Sequence, residues 1–302
     1  MRTVTIACLV TAALASGALR LMAAETARLR HVTSVYFDAK EAGLKLPEGV
    51  ACDGKGRVVV ADTGNGRLLF FAFQDGKMSG GSEVKHPQLS APSRVQVTSK
   101  GELYVLDGKQ RRLVRLGPEG EFKGLLAMDG VPPPGAVIAK SFAIDAADNV
   151  YVLDAFSARV LVVNAQGQFQ RALPLPADGG FGSELAVDAA GTVFLVDSIK
   201  RRMFSAAKDA AAFTPLGGDL SASVATLPTS LTASKGLIFV AEGNRSSVVV
   251  FGRDGSFLSR QLTMGWEEGA LNHPAQMCIN DKDEVFIADR DNSRIQVFQL
   301  IR

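Results

Sequence analysis

The sequence predicts an all-β fold: a six-bladed β-propeller of four-stranded antiparallel blades, its ring closed by an N-terminal strand. Three observations predict it. A short apolar run, an acid, a polar gap and a second apolar run recur six times: VVVADTGNGRLLFF from Val58, LYVLDGKQRRLVRL from Leu103, VYVLDAFSARVLVV from Val150, VFLVDSIKRRMFSA from Val193, IFVAEGNRSSVVVF from Ile238 and VFIADRDNSRIQVF from Val285. Each copy reads as two strands joined by a tight loop. The acids ending the first runs, Asp62, Asp107, Asp154, Asp197, Glu242 and Asp289, are spaced by 45, 47, 43, 45 and 47 residues. A strand pattern repeated at about 40–50 residues marks propeller blades rather than separate domains. Finally, the sixth copy stops at Arg302, directly after its third strand, while an alternating segment near the N-terminus has no partner of its own.

Taken in order, the chain begins with Arg2 and an apolar run from Val4 to Ala15. This resembles a secretory signal peptide. It is expected to span residues 1–24, with cleavage either after Ala15 or near Ala24. The run is shorter than the ~20 residues that span a bilayer. The expectation is therefore a mature domain over 25–302, exported to the periplasm or exterior of a bacterium, with no membrane span once the leader is removed.

The segment His31–Phe37 alternates like a strand and is assigned to the missing outer position of the sixth blade, where it would cover an exposed sheet edge. Each repeat then divides into four strands. In the first, Glu48–Cys52 is the inner strand, Val58–Ala61 the second, Leu68–Ala72 the third and Lys77–Val84 a weaker outer strand. Turns rich in Gly, Asp and Asn, such as Asp53-Gly-Lys-Gly56 and Gly117-Pro-Glu-Gly120, separate them. The fourth repeat is the poorest, with Ala206–Ala212 in place of a clear third turn. Without the leader only Cys52 and Cys278 remain. They occupy equivalent inner strands one register apart, which predicts opposite facings and two buried thiols rather than a disulfide.

The sixth repeat, Pro274-Ala-Gln-Met-Cys-Ile-Asn280 through Phe298, and the first, from Pro47-Glu-Gly-Val-Ala-Cys-Asp53, carry a further pattern. A Pro opens a small-apolar inner strand, Ala-Asp ends the second, and Asn-x-Arg precedes an apolar third. This resembles the NHL-repeat family of six-bladed propellers. Pro92 and Pro228 keep the opening Pro in the second and fifth repeats; Ala139 and Gly182 replace it in the third and fourth. The resemblance implies a binding platform more often than an enzyme.

Composition narrows the function. A net charge of +2, with 21% charged residues, makes no electrostatic case for nucleic acid. The pairs Asp62–Arg67, Asp107–Arg112, Asp154–Arg159, Asp197–Arg202 and Asp289–Arg294 recur too regularly for one active site, and are expected to clamp the loops between second and third strands. Related amidating lyases, by resemblance, carry a zinc-binding His directly after the Pro. Here that position holds Glu48, Ser93, Lys140, Ser183, Thr229 and Ala275. His86 and His273 lie in different blade connections, and His31 in the closing strand, so neither a metal nor a cofactor is called for.

The residues outside the repeat pattern are Lys109, Arg111, Phe156, Ile199, Lys200, Arg201, Arg245 and Arg290 in the second-to-third loops, with Phe181 and Trp266 in the blade connections. Basic and apolar groups on one face suit a docking rim for a protein partner; they also suit a solvated face. The expected function is an exported, non-enzymatic binding or scaffold propeller. The alternative is a metal-assisted hydrolase or lyase at the mouth of the central channel, lined by inner-strand residues such as Arg94, Glu184 and Gln276.

Overall fold

The computed structural model describes residues 27–180, 182–218, 220 and 227–302. The expected leader and Phe181 lie outside the described residues. Six separate four-stranded antiparallel sheets are arranged as blades. β1 (Arg28–Val35) precedes them. Blade 1 is β2 (Gly49–Cys52), β3 (Arg57–Asp62), β4 (Arg67–Gln74) and β5 (Lys77–Val84). Blade 2 is β6 (Pro92–Val97), β7 (Leu103–Asp107), β8 (Arg112–Leu116) and β9 (Phe122–Leu125). Blade 3 is β10 (Ala139–Ile144), β11 (Val150–Asp154), β12 (Arg159–Val163) and β13 (Phe169–Pro174). Blade 4 is β14 (Gly182–Val187), β15 (Val193–Asp197), β16 (Arg202–Ala206) and the three-residue β17 (Thr214–Leu216). Blade 5 is β18 (Pro228–Ser234), β19 (Leu237–Glu242), β20 (Ser247–Gly252) and β21 (Phe257–Gln261). Blade 6 is β22 (Pro274–Ile279), β23 (Glu284–Asp289) and β24 (Arg294–Ile301), completed by β1 in the order β1-β24-β23-β22.

The closing strand pairs Arg28 with Ile301 and Val35 with Ile295, so it begins three residues earlier than the alternation around His31 indicates. Exposure alternates from Arg28 onward, with Arg28, Arg30 and Val32 exposed and Leu29 and His31 half-buried, so the period-2 pattern extends back to Arg28.

The strands form because their apolar runs are buried on both faces, against the blade before and the blade after. The buried side chains fall into six clusters, one at each interface between neighbouring blades. Val60, Leu69, Phe286 and Val297 fill the interface of blades 1 and 6, and Val59, Leu68, Val105 and Val114 that of blades 1 and 2. Fully burying one such side chain is worth roughly 1.5–3 kcal/mol, so these interfaces dominate the stability of the ring.

The structure corrects the reading of the cysteines. Cys52 and Cys278 form a disulfide, with Cα atoms 6.0 Å apart. The one-residue register difference does turn them to opposite sides of their own sheets. In a ring, however, adjacent blades meet through opposite faces, so that difference places one thiol against the other across the interface of blades 6 and 1. Both pack on the cluster formed by Val50, Val58 and Ala288.

The repeated acid and Arg are also more divided in role than their regular spacing indicates. In five blades the acid accepts a backbone N–H from the incoming blade connection: Asp62 from Lys45 (2.7 Å), Asp107 from Ser90 (2.8 Å), Asp154 from Ile138 (3.0 Å), Asp197 from Gly180, and Asp289 from Asn272 (2.6 Å). The Arg follows its acid closely in two of them, Arg67 to Asp62 at 2.6 Å and Arg294 to Asp289 at 2.7 Å. Arg159 stands 3.5 Å from Asp154 and donates to the carbonyls of Pro132 and Pro134. Arg112 turns to Gln88 (2.6 Å) and Arg202 to Asp178 (3.2 Å). In these three blades the guanidinium groups bond instead to acceptors in the incoming blade connection. In blade 5, where Ser247 replaces the Arg, Arg260 from the outer strand supplies the charge to Glu242.

Candidate functional site

The second-to-third loops and the blade connections share one face. Backbone hydrogen bonds join them: Gly64 to Lys45, Gly108 to Ala91, Ala155 to Ile138, Gly243 to Leu227 and Asp291 to Asn272, all at 2.8–3.1 Å. At the centre of this face the inner strands frame the mouth of the channel. Each of β6, β10, β14, β18 and β22 carries a bulge immediately after its first residue. A bulge sets two residues against one on the partner strand. It lets two consecutive residues of each blade reach the channel, giving two stacked rings.

The outer ring is the position directly after the opening Pro. Glu48, Ser93, Lys140, Thr229 and Ala275 line a cavity of about 560 Å³. Its hydroxyls serve the backbone: Ser93 Oγ donates to the Leu106 carbonyl (3.1 Å) and Thr229 Oγ1 to that of Pro274 (2.6 Å). The second ring is Gly49, Arg94, Ser141, Glu184, Ser230 and Gln276, and it plugs the channel. Arg94 Nη2 donates to Glu184 Oε1 and to the Thr229 carbonyl (2.7 Å). Ser141 Oγ donates to Glu184 Oε2 at 3.0 Å. Gln276 Oε1 accepts the N–H groups of Val50 and Val95, each at 3.2 Å, and its Nε2 returns a bond to the Val95 carbonyl at 3.1 Å. Gly49 makes room for that bridge, since a Cβ there would lie 3.2 Å from Gln276 Oε1 and 2.8 Å from Ala61 Cβ. Below the plug a smaller cavity of about 170 Å³ has Ala51, Val97, Ala143, Ile144, Val187 and Ile279 among its lining residues.

Glu184 is 4% exposed. Burial pushes its carboxyl up to about 7, against the opposing pull of Arg94, the Ser141 hydroxyl and Lys140. The three inner-strand residues singled out in the sequence, Arg94, Glu184 and Gln276, thus fall in one ring. Of the rim candidates, Arg111 and Arg290 line the mouth, where Arg290 Nε donates to Glu48 at 3.1 Å and Nη1 to Asp291 at 2.6 Å. Lys109, Phe156, Ile199, Lys200 and Arg245 are exposed on their loops, Arg201 is half-buried, and Trp266 is 78% exposed on the connection into blade 6. Sequence reasoning missed Glu48, Lys140 and His273 as parts of the mouth. Their nearness to the opening Pro was the signal available. In blades 2 to 6 it is the bulge that turns the position after the opening residue inward.

His273 Nδ1 lies 2.9 Å from Asp291, whereas the His86 ring stacks on Phe122 with centroids 4.4 Å apart. Among the described residues, no three His, Cys, Asp or Glu side chains are grouped as metal ligands. Two oxygen-rich stretches, 281–284 and 289–292, are engaged by protein cations: Asp283 by Lys235 (2.9 Å) and Asp289 by Arg294 (2.7 Å). No helix among the described residues is long and apolar enough to cross a membrane.

Residues 271–298 match the NHL repeat model, and this repeat is part of a six-bladed propeller. No curated protein matches the sequence. Among solved structures, virginiamycin B lyase from Staphylococcus aureus is similar with a TM-score of 0.66 at 11% identity, covering 91% of this chain and 100% of that one. A protein of unknown function from Bacteroides thetaiotaomicron is similar with a TM-score of 0.65 at 14% identity, covering 91% and 76%. A chain of a nidogen/laminin complex is similar with a TM-score of 0.59 at 16% identity, covering 72% and 80%. At these identities the likeness is one of fold.

Proposed function

We propose that this NHL-repeat propeller is an exported, non-enzymatic module that docks a protein partner on its connection face. The observation that carries the reading is the set of large exposed apolar side chains distributed around that face. Phe37, Phe156, Ile199, Met264 and Trp266 are each more than half exposed, and all lie on second-to-third loops or blade connections. Aromatic groups held on a rigid frame anchor a partner with little ordering cost. Export is supported by the Cys52–Cys278 disulfide, a bond rare in reducing compartments.

The test is affinity capture from the envelope fraction of the native host. A Phe156→Ser/Ile199→Ser/Trp266→Ala variant is compared with Phe257→Ser, which alters an exposed group on an outer strand. A protein retained by the native chain and by Phe257→Ser, but lost by the triple variant, supports the reading. The same proteins on all three overturn it.

A hydrolase or lyase at the channel mouth is the second reading, favoured by the raised Glu184 carboxyl. It needs a nucleophile or metal ligands beside that carboxyl. The hydroxyl bonded to it is that of Ser141, which is 1% exposed and already donates to the carboxyl. The docking reading is therefore preferred.

A further inference from the structure

The connection face is apolar at its rim and cationic at its centre. Arg94, Arg111, Lys140 and Arg290 line the mouth, against the carboxylates of Glu48 and Glu184. Glu48 is engaged by Arg290, and Glu184 lies on the floor behind Arg94. Arg94 makes both of its hydrogen bonds through Nη2, so Nε and Nη1 have no protein partner among the described residues. The Arg111 side chain likewise makes no hydrogen bond or ion pair among them, and its backbone is held at φ 54°. Two guanidinium groups with unused donors thus line one cavity. A guanidinium edge is the natural partner of a carboxylate, which it binds through two parallel N–H···O bonds.

We propose that the channel mouth is an anchoring pocket for a carboxylate: it seats one acidic side chain of an extended partner segment on Arg94 and Arg111, with the neighbouring apolar residues of that segment against Leu227 and the rim. This deepens the docking reading and rests on it. The cavity of about 560 Å³ lies within the range of ligand sites and accommodates an acidic residue with its flanking backbone.

Glu184 makes the anchor depend on pH. Ionised, it competes with the incoming carboxylate for Arg94. With its carboxyl pushed up to about 7, it is neutral in mildly acidic solution, and the partner carboxylate then becomes the counterion of Arg94. The charged and titratable groups around it are Lys140 from the adjacent inner strand β10, Arg94 from β6 one blade further round and, across the mouth, Glu48, Arg111, Arg290 and His273 with Asp291. Binding is therefore expected to tighten from pH 8 to pH 6, and the Glu184→Gln variant to bind at pH 8 as the native chain does at pH 6.

The experiment is calorimetric titration of the full mature chain with an acetylated, amidated Leu-Glu-Leu peptide and its Leu-Gln-Leu counterpart. The Glu peptide should bind about tenfold tighter than the Gln peptide, as expected for charge-assisted hydrogen bonds. Arg111→Gln touches no buried network and should remove most of that difference; Arg94→Gln should do the same. Glu184→Gln should abolish the pH dependence, and His273→Asn should leave it in place. Equal affinity of the two peptides, no binding at millimolar peptide, or native affinity in Arg111→Gln overturns the pocket. If the pocket fails while the rim variant still loses its partner, the docking reading stands alone. If the Glu peptide binds as described while the rim variant loses nothing, the docking reading falls and the pocket remains as a site for free carboxylates.

Discussion

The seam between blades 6 and 1 and the arc formed by blades 2 to 4 are built from the same repeat but secured differently. At the seam, Arg67 binds Asp62, Asp38 and Glu83 at 2.6–2.8 Å, and Asp38 belongs to the segment that follows the closing strand. Arg294 binds Asp289, the Tyr36 hydroxyl (3.0 Å) and the carbonyls of Trp266, Glu267 and Ala270. Its side chain is 2% exposed. The disulfide and the β1–β24 pairing cross the same interface or close the same blade. In the arc, Arg112 and Arg202 leave their acids, and blade 4 ends in a three-residue outer strand. The arc blades follow one another in sequence, whereas the seam brings the last blade against the first. The heaviest bonding is found where chain connectivity contributes least.

This contrast is open to direct attack. Deleting Arg28–Val35 strips blade 6 of its outer strand and exposes the β24 edge; we expect loss of the cooperative unfolding transition, read by circular dichroism in urea. Retention of a native-like transition would mean the seam holds without strand closure. Next, Arg294→Met should cost about 3–5 kcal/mol, because it leaves Asp289 buried without its cation. Arg202→Met, on a half-exposed side chain, should cost no more than about 0.5 kcal/mol. Similar losses in the two variants would show that the motif works alike around the ring.

Reducing the disulfide should lower stability by about 2–4 kcal/mol, the usual range for a cross-link that restricts the unfolded chain. Urea midpoints with and without a phosphine reductant measure this, and Cys52→Ser/Cys278→Ser should reproduce it with no further effect of reductant.

The smallest effect concerns pH. Asp38 at the seam is held below the usual carboxylate range, first by the Ala42 N–H and also by Arg67. Its contribution is present above the unfolded pKa and lost as pH falls through the lower folded value. Asp107 in the arc is also lowered: its burial opposes this, but the N–H groups of Gln110, Ala91, Ser90 and Lys109 prevail. Acid should therefore weaken both regions together. Glu184 at the hub has the opposite sign. Its folded pKa lies above the unfolded value, so the native state binds the extra proton and stability falls as pH rises from the ordinary carboxylate range to about 7. Glu184→Gln should flatten that slope and leave the acid limb unchanged. A slope that persists in the variant would assign it to another group.

Much of this molecule was legible in the residues. Apolar runs ending in an acid, such as Val150–Asp154, locate second strands because a strand buried on both faces needs an unbroken apolar run. Turn residues such as Gly56 and Gly120, both with φ of 90°, mark the ends of strands because they accept a backbone that other side chains resist. The missing outer strand of the last copy pointed to β1, since an unpaired edge must be covered. The mouth was only partly legible. Arg94, Glu184 and Gln276 could be placed on inner strands, but their meeting in one ring depends on bulges, which are set by how each inner strand pairs with its neighbour.

Local pattern thus determined the number of blades, their order and the strand that closes the ring, because period and turn chemistry act over a few residues. Tertiary structure alone decided the partners across blades: Cys52 with Cys278, Arg94 with Glu184, and Arg112 with Gln88 in place of its acid. Those choices depend on which faces of neighbouring sheets oppose each other, and on which acceptors the blade connections bring near. Neither is written within a single repeat.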